Sequence, residues 1–284
     1  MTPHASKIRT LTAAETQQHI ETIGIDAHGR QTFVHRDEAR NITYDWHSHR
    51  RHQLLYAISG ILRVETRDLE LIVSPQRALW IPANTLHRTR LENVACASVF
   101  ISPRQFPKND GRVRIVAAPS LMREMILYAL RWGPSAAPLA RLQRHFFQAL
   151  CALLENWLAD ELPCALPRTD HLALNRALRH TQANLQTISL ADAARAAAVS
   201  ERTLRRLILE ELQMPWREYL NQSRMMRAME LLCQPSGRVA AVAEMTGFQS
   251  MSAFSARFRQ FTGETPREFR RRTVGVRRQR AAEV

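Results

Sequence analysis

Three histidines carry the most specific chemistry in this sequence. His47 and His49 stand at i and i+2 in a stretch with strand character, so both rings point to one face. Gln53 follows four residues after His49, and Gly60 sits where the chain can turn. Further on, Pro82-Ala83-Asn84-Thr85-Leu86-His87 brings a third imidazole to the end of another strand. Three imidazoles and an amide oxygen can hold a divalent ion such as Zn, Fe, Ni or Mn, with little selectivity between them. The alternatives are polar lining for an organic ligand, or a set retained by the fold alone. Trp46, Tyr56, Arg63 and Trp80 are candidates for lining a ligand pocket, against the commoner fate of aromatic residues in a small barrel, which is core. His35 and His52 are expected at the surface.

Arginine is the second source of chemistry. The formal net charge is +14, and Lys7 and Lys108 are the only lysines. Residues 166–284 hold 20 arginines against 11 acidic residues, and the chain closes with Arg270-Arg271-Arg272 and Arg277-Arg278-x-Arg280. Guanidinium matches phosphate bidentately, so a basic C-terminal half is the electrostatic footprint of nucleic-acid binding. Arg272 is expected on phosphate.

The elements that must position these groups fall into two textures. QTFVHR, NITYDWHSH, QLLYAIS, ILRVETR, LELIVS, ALWIP and VACASVFIS, within residues 31–102, are short, branched or aromatic runs separated by turn signals. They predict a sandwich or small barrel. After Pro119, apolar residues recur at three- and four-residue steps from Leu121 to Trp157, which predicts an amphipathic helix pair broken at Gly133-Pro134-Ser135. Residues 161–170, with two prolines and no period, read as a linker. Residues 171–273 are helical in pattern, and 274–284 read as a basic disordered tail. The resulting boundaries are a β-domain over 1–118, helices over 119–160, the linker, and an all-α domain.

Within that all-α half, residues 189–208 form a helix, a turn at Ala198-Val199, and a second helix capped by Ser200 with Leu204, Leu207 and Ile208 inward. Residues 238–258 repeat the plan, with Ala243 as the small crossing residue, Gly247 at the turn, Ser250 near the cap, and Phe254 and Phe258 inward. Residues 216–232 read as one long helix joining the two units. A single such pattern is common in all-α packing; two copies on a long connector, with Arg on the second helix, point to DNA.

Residues 171–272 resemble the tandem helix-turn-helix domain of AraC/XylS-type bacterial transcription regulators. The run from Gly247 through Phe254, Phe258 and Phe261 to Thr265-Pro266 and Phe269-Arg270 carries the most specific part of that resemblance. It implies that each second helix enters the major groove, with Arg202, Thr203, Arg205 and Arg206 of the first and Met251, Ser252, Ala253, Ser255 and Arg257 of the second facing double-stranded DNA. Many members place Arg where Ala256 stands here, so the first unit is expected to dominate specificity. The spacing HxH-x3-Q-x6-G followed by P-x-N-x2-H resembles the two motifs of the cupin barrel, whose metal ligands would map to His47, His49, Gln53 and His87. Gln53 replaces the family's Glu, and Asn84 and Gln76 stand where glycines are usual.

The resemblance implies a sequence-specific DNA-binding regulator with a cupin-like head that senses a small molecule or metal. Control of a transporter or efflux gene, dimerisation through the 119–160 helices, and contact with RNA polymerase in the case of an activator are further implications. A cupin-type metalloenzyme with an accessory DNA-binding domain is the rival reading, and a constitutive repressor with a degenerate head is a third. The sequence has no Ser–His–Asp arrangement, phosphate-cradling Gly-rich loop or paired catalytic carboxylates, so no catalytic residue is assigned and no enzyme is expected. No run of roughly 18–20 apolar residues predicts a membrane helix. The N-terminus lacks the character of a signal peptide. Four scattered cysteines fit isolated thiols, and a cytoplasmic location is expected.

Overall fold

The structure is a computed structural model that describes residues 8–27, 32–39, 41–107, 109–134, 140–162, 165–234 and 236–281. Two compact units divide the chain, one over residues 1–66 and 71–163, the other over 67–70 and 164–284.

The first unit opens with β1 (Arg9–Thr10) and helix α1 (Ala13–Ile23). Thr12 and Glu15 close a capping box at the start of α1, and Gly24 ends it in the left-handed conformation at φ 69°. The strands are β2 (Phe33–Ala39), β3 (Ile42–His47), β4 (His52–Thr66), β5 (Leu69–Val73), β6 (Arg77–Ile81), β7 (His87–Ile101) and β8 (Arg114–Ala117). Helix α1 and strand β8 have no counterpart in the sequence-based expectation.

The sheet is curled because its two longest strands each serve more than one neighbour. β7 pairs antiparallel with β2, β3 and β4, while β4 also pairs with β6, and β6 with β8. QLLYAIS and ILRVETR, expected as separate strands, are the single strand β4. Gly60, at φ 76°, lies within its two register shifts, between Ala57 and Ile61, so the residue bends a continuous strand where a chain-reversing turn was expected.

Helices α2 (Ser120–Ala129) and α3 (Ala140–Trp157) fall where the apolar period places them. Met122, Ile126, Phe147, Leu150 and Leu154 are buried in one core with Leu54, Tyr56, Trp80, Val99 and Val116 of the sheet. Packing on the sheet therefore consumes most of the stripe that suggested a dimer face. Leu121, Tyr128 and Leu142 remain exposed.

In the second unit the expected linker contains a short strand, β9 (Ala165–Pro167). Then come α4 (Leu172–Ala183), α5 (Leu190–Ala196), α6 (Glu201–Leu212), α7 (Trp216–Leu232), α8 (Val239–Met245), α9 (Met251–Thr262) and α10 (Pro266–Ala281). Three of these starts are capped by serine: Ser189 forms a capping box with Asp192, Ser200 accepts from the Thr203 amide, and Ser250 from the Ala253 amide. The α10 backbone stays helical to Ala281, where a tail from residue 274 was expected to be irregular; Arg, Gln and Ala are good helix formers and carry it past Gly275. Residues 282–284 lie outside the described set.

The connector α7 packs against α4, α6, α8, α9 and α10. Its Tyr219, Met225, Met226 and Met229 are buried, which explains a helix apolar on more than one face. Cys96 and Cys151 are buried free thiols, Cys233 is buried, and Cys164 lies outside the described residues.

Candidate effector pocket and DNA-reading surface

The two faces of the curled sheet have different chemistry. One packs against α2 and α3. The other lines a cavity of about 60 Å³ whose wall includes His47, His49, Gln53, Ser98 and Phe100. Side chains alternate along a strand, so Gln53 and Leu55 reach the cavity while Leu54 and Tyr56 join the helix-facing core. Tyr44 and His47 both line it although they are three residues apart. A register shift between them restores the facing, and it turns Trp46 away.

That alternation corrects the expected lining. Tyr56 and Trp80 are fully buried in the other core. Trp80 stacks on His52 at 5.0 Å, and its indole donates to Asn109 Oδ1. Trp46 lies under the Arg88 guanidinium, and neither Trp46 nor Arg63 is part of the cavity wall. His52 is not a surface residue either: it is 4% exposed, its Nδ1 accepts from the Ala83 amide, and burial pushes its pKa down to about 4.

The structure brings His47, His49 and His87 together. The His47 ring centroid lies 4.2 Å from that of His87, and the His49 centroid 5.3 Å from that of His87. Each Nδ1 faces a backbone carbonyl: Asp45 O at 2.7 Å, Arg51 O at 2.7 Å and Thr85 O at 2.9 Å. A carbonyl can only accept, so the proton belongs on Nδ1 and each Nε2 carries a lone pair. His87 Nε2 is buried with no protein partner. His49 Nε2 and Gln53 Oε1 then face each other as two acceptors 3.2 Å apart, while Gln53 Nε2 donates to Ser98 Oγ. Burial lowers the pKa of all three histidines, and the neighbouring rings lower that of His87 further. Neutral imidazoles whose Nδ1 is fixed by carbonyls form the donor set that a divalent cation takes. Asn84 and Gln76, which replace glycines, adopt the left-handed conformation at φ 62° and 73°, so both turns survive the replacement.

A second polar group lines the same cavity and was missed. His35 and Asp37 point inward from β2, His19 comes from α1, and Tyr44 from β3. Tyr44 donates to Asp37 Oδ2 at 2.7 Å, its oxygen lies 3.2 Å from His19 Nε2, and its ring stacks on His19 at 5.0 Å. Burial, with Asp37 beside it, pushes the Tyr44 phenol up, so it remains a donor. His35, expected at the surface, is half-buried, and desolvation lowers its pKa. The available signal was His35-x-Asp37 on a strand, two ligand types on one face.

In the second unit, Arg202, Arg205 and Arg206 are exposed on α6 and Thr203 is half-buried. Arg205 pairs with Glu201 and Arg206 with Glu210, each an exposed i,i+4 pair. On α9, Met251, Ser252 and Ala253 are exposed and Ser255 half-buried. Arg257 departs from the expectation. Its Nη2 lies 2.7 Å from Glu218 Oε2 on α7, and its Nη1 donates to Gln260. Arg272, expected on phosphate, is instead clamped to Glu264, with its guanidinium 5.2 Å from the Phe269 centroid.

Two family models match the chain, the AraC-like ligand-binding domain over residues 27–105 and a helix-turn-helix domain over residues 193–272. The transcriptional regulator NimR of Escherichia coli is 28% identical over 243 residues, spanning 83% of this chain and 85% of NimR. The chain therefore joins an AraC-like ligand-binding domain to a helix-turn-helix domain, the make-up of a transcription regulator. Its first unit is the ligand-binding head and its second the DNA-binding domain. The regulator ArgR of Pseudomonas aeruginosa is 31% identical over 108 residues, 38% of this chain but only 33% of ArgR. Among solved structures, ToxT of Vibrio cholerae is 15% identical with a TM-score of 0.36, over 84% of this chain and 97% of that one. Among the described residues, no helix is long and apolar enough to cross a membrane.

Proposed function

We propose that this AraC-family regulator senses a small effector in the head's cavity, with a divalent ion held by His47, His49, His87 and Gln53. The observation that carries this reading is the buried, unpartnered His87 Nε2 beside two imidazoles whose Nδ1 atoms are each tied to a carbonyl. When bound, such an ion supplies a positive anchor for an anionic or carbonyl-bearing effector. Gln53 lends an oxygen without the charge of a carboxylate, so the bare site keeps the ion's full charge for the effector. The head acts in sensing and not in turnover; it has polar ligands and apolar walls but no assigned acid–base pair.

DNA is read mainly by α6. Arg205 and Arg206 are held only by exposed pairs worth about 0.3–0.5 kcal/mol, which DNA displaces at little cost, and Arg202 is exposed beside them. An Arg that reaches guanine O6 and N7 contributes about 1–3 kcal/mol of discrimination. Thr203 supports that surface, and Met251, Ser252, Ala253 and Ser255 add short contacts from α9. The regulator acts in the cytoplasm as a homodimer through the exposed Leu121, Tyr128 and Leu142, and engages RNA polymerase where its operator position makes it an activator.

The test is metal content and operator affinity of the tag-free full-length chain, by plasma mass spectrometry and titration of operator DNA. His47→Ala with His87→Ala is expected to remove one equivalent of metal and to change operator affinity in the full chain. Unchanged metal content would reduce the histidines to pocket lining; unchanged affinity would uncouple the head from the reader.

A further inference from the structure

We propose that His19, His35 and Asp37 form a second divalent-metal site, of the Zn²⁺ or Co²⁺ class, that fastens helix α1 to strand β2. One donor atom from each residue lies within 4.8 Å of the other two. At that upper limit the centre of the triangle is about 2.8 Å from each donor, against metal–ligand bonds of about 2.0–2.2 Å. Side-chain movements of about 0.6 Å therefore close the site. Two imidazoles and one carboxylate suit the late first-row ions and leave a bound dication with a net positive charge and open positions.

The surroundings support a ligand role. Tyr44 donates to Asp37 Oδ2 and leaves the other carboxylate oxygen for the ion. A hydroxyl that orients a ligating carboxylate is the usual outer partner of a metal site. His35 and Asp37 are two residues apart on β2 with their side chains on the cavity wall, so the strand presents both at once. His19 comes from a different element, α1, whose Ile20 and Ile23 pack with Ile25, Phe33 and Phe100. The ion would thus bridge a helix and a strand at the wall of the effector cavity. Occupancy changes how firmly α1 is held there, and the open positions face the space where an effector sits.

This site does not depend on the His47–His49–His87 reading, and the experiment separates the two. The full-length, tag-free chain carrying His47→Ala and His87→Ala is stripped with chelator and titrated with Co²⁺ by absorbance and with Zn²⁺ by calorimetry. One saturable equivalent is expected, together with slower amide hydrogen exchange across residues 13–23. Adding His35→Ala or Asp37→Asn should abolish saturable binding, with circular dichroism confirming that the fold is kept. Tyr44→Phe should weaken binding by about 10- to 100-fold, the range for loss of an outer partner. No saturable binding in the His47/His87 background would overturn the site, as would binding unchanged by both His35→Ala and Asp37→Asn. Should that background fail to fold, the wild-type chain serves: Asp37→Asn must then lower the metal stoichiometry by one, and an unchanged value refutes the proposal.

Discussion

In the first helix-turn-helix unit, Arg202, Arg205 and Arg206 stand out from α6; in the second, Arg257 is folded back onto Glu218 of the connector. Ser200 and Ser250 cap the two second helices, so each position in α6 corresponds to the one fifty residues on in α9. On that alignment the buried Leu204 and Ile208 match Phe254 and Phe258, and Arg206 matches Ala256. Arg257 matches Leu207, at the half-buried edge of the helix, which is why it meets α7. The turns also differ: Ala198 stands two residues before its cap and Gly247 three before its own. A shared plan has been given one unit that presents charge at its start and another that presents small side chains there and uses Arg257 for anchoring.

The largest expected effect tests the second turn. Gly247 has φ +78°, and a Cβ there would meet Arg224 Nη2 at 2.6 Å, Gln186 O at 2.7 Å and Leu185 O at 2.8 Å. The Arg224 side chain is itself fixed, donating from Nε and Nη2 to Leu185 O. Gly247→Ala thus adds backbone strain to a clash that cannot relax outward. We expect a loss of about 3 kcal/mol in the DNA-binding unit, measured by denaturant unfolding. A change below ~1 kcal/mol would mean that the contacts around this turn yield easily.

Next in size is Arg206→Ala, expected to lower operator affinity by about 1–3 kcal/mol and to relax preference at one base pair. Binding to random DNA should fall much less. Equal losses on operator and random DNA would make Arg206 a phosphate contact and weaken the contrast between the units.

Arg257→Ala sharpens the comparison from the other side. Its pair with Glu218 is partly shielded, at 28% and 40% side-chain exposure, so about 0.5–1 kcal/mol of stability should be lost. Base preference should not change. A relaxed preference at one position would show that Arg257 leaves Glu218 for the groove when DNA arrives.

The helical half was legible because its signals are local: a 3.6-residue period, Ser caps one residue before each second helix, and small residues Ala194 and Ala243 at the crossings. The cluster of His47, His49 and His87 was legible through its spacing. What the sequence hid depends on non-local geometry. His19, His35, Asp37 and Tyr44 come from three elements that meet only when α1 covers the sheet. The register shift between Tyr44 and His47 reverses facing within three residues, so counting by twos misplaces Trp46. Tyr56 and Trp80 were assigned to the pocket by residue type, whereas strand alternation places them on the helix-covered face. For Arg257 and Arg272, charge suggested DNA, but the acidic partners, Glu218 39 residues earlier and Glu264 eight earlier, become visible only in the fold.

The smallest effect concerns the first turn. Ala198 holds φ 56°, a conformation that costs a residue with a Cβ roughly 1 kcal/mol and a glycine much less. Ala198→Gly relieves that strain but gives the unfolded chain more freedom, so the net gain should be no more than about 1 kcal/mol. The sign is the informative part, since the same exchange run in reverse at Gly247 is expected to be strongly destabilising. Paired unfolding curves for the two variants measure the asymmetry directly. A loss of stability in Ala198→Gly would show that the freedom gained by the unfolded chain, with whatever packing the Ala198 methyl group makes, outweighs the strain. Strain at the first turn alone would then not explain why one turn has Ala and the other Gly.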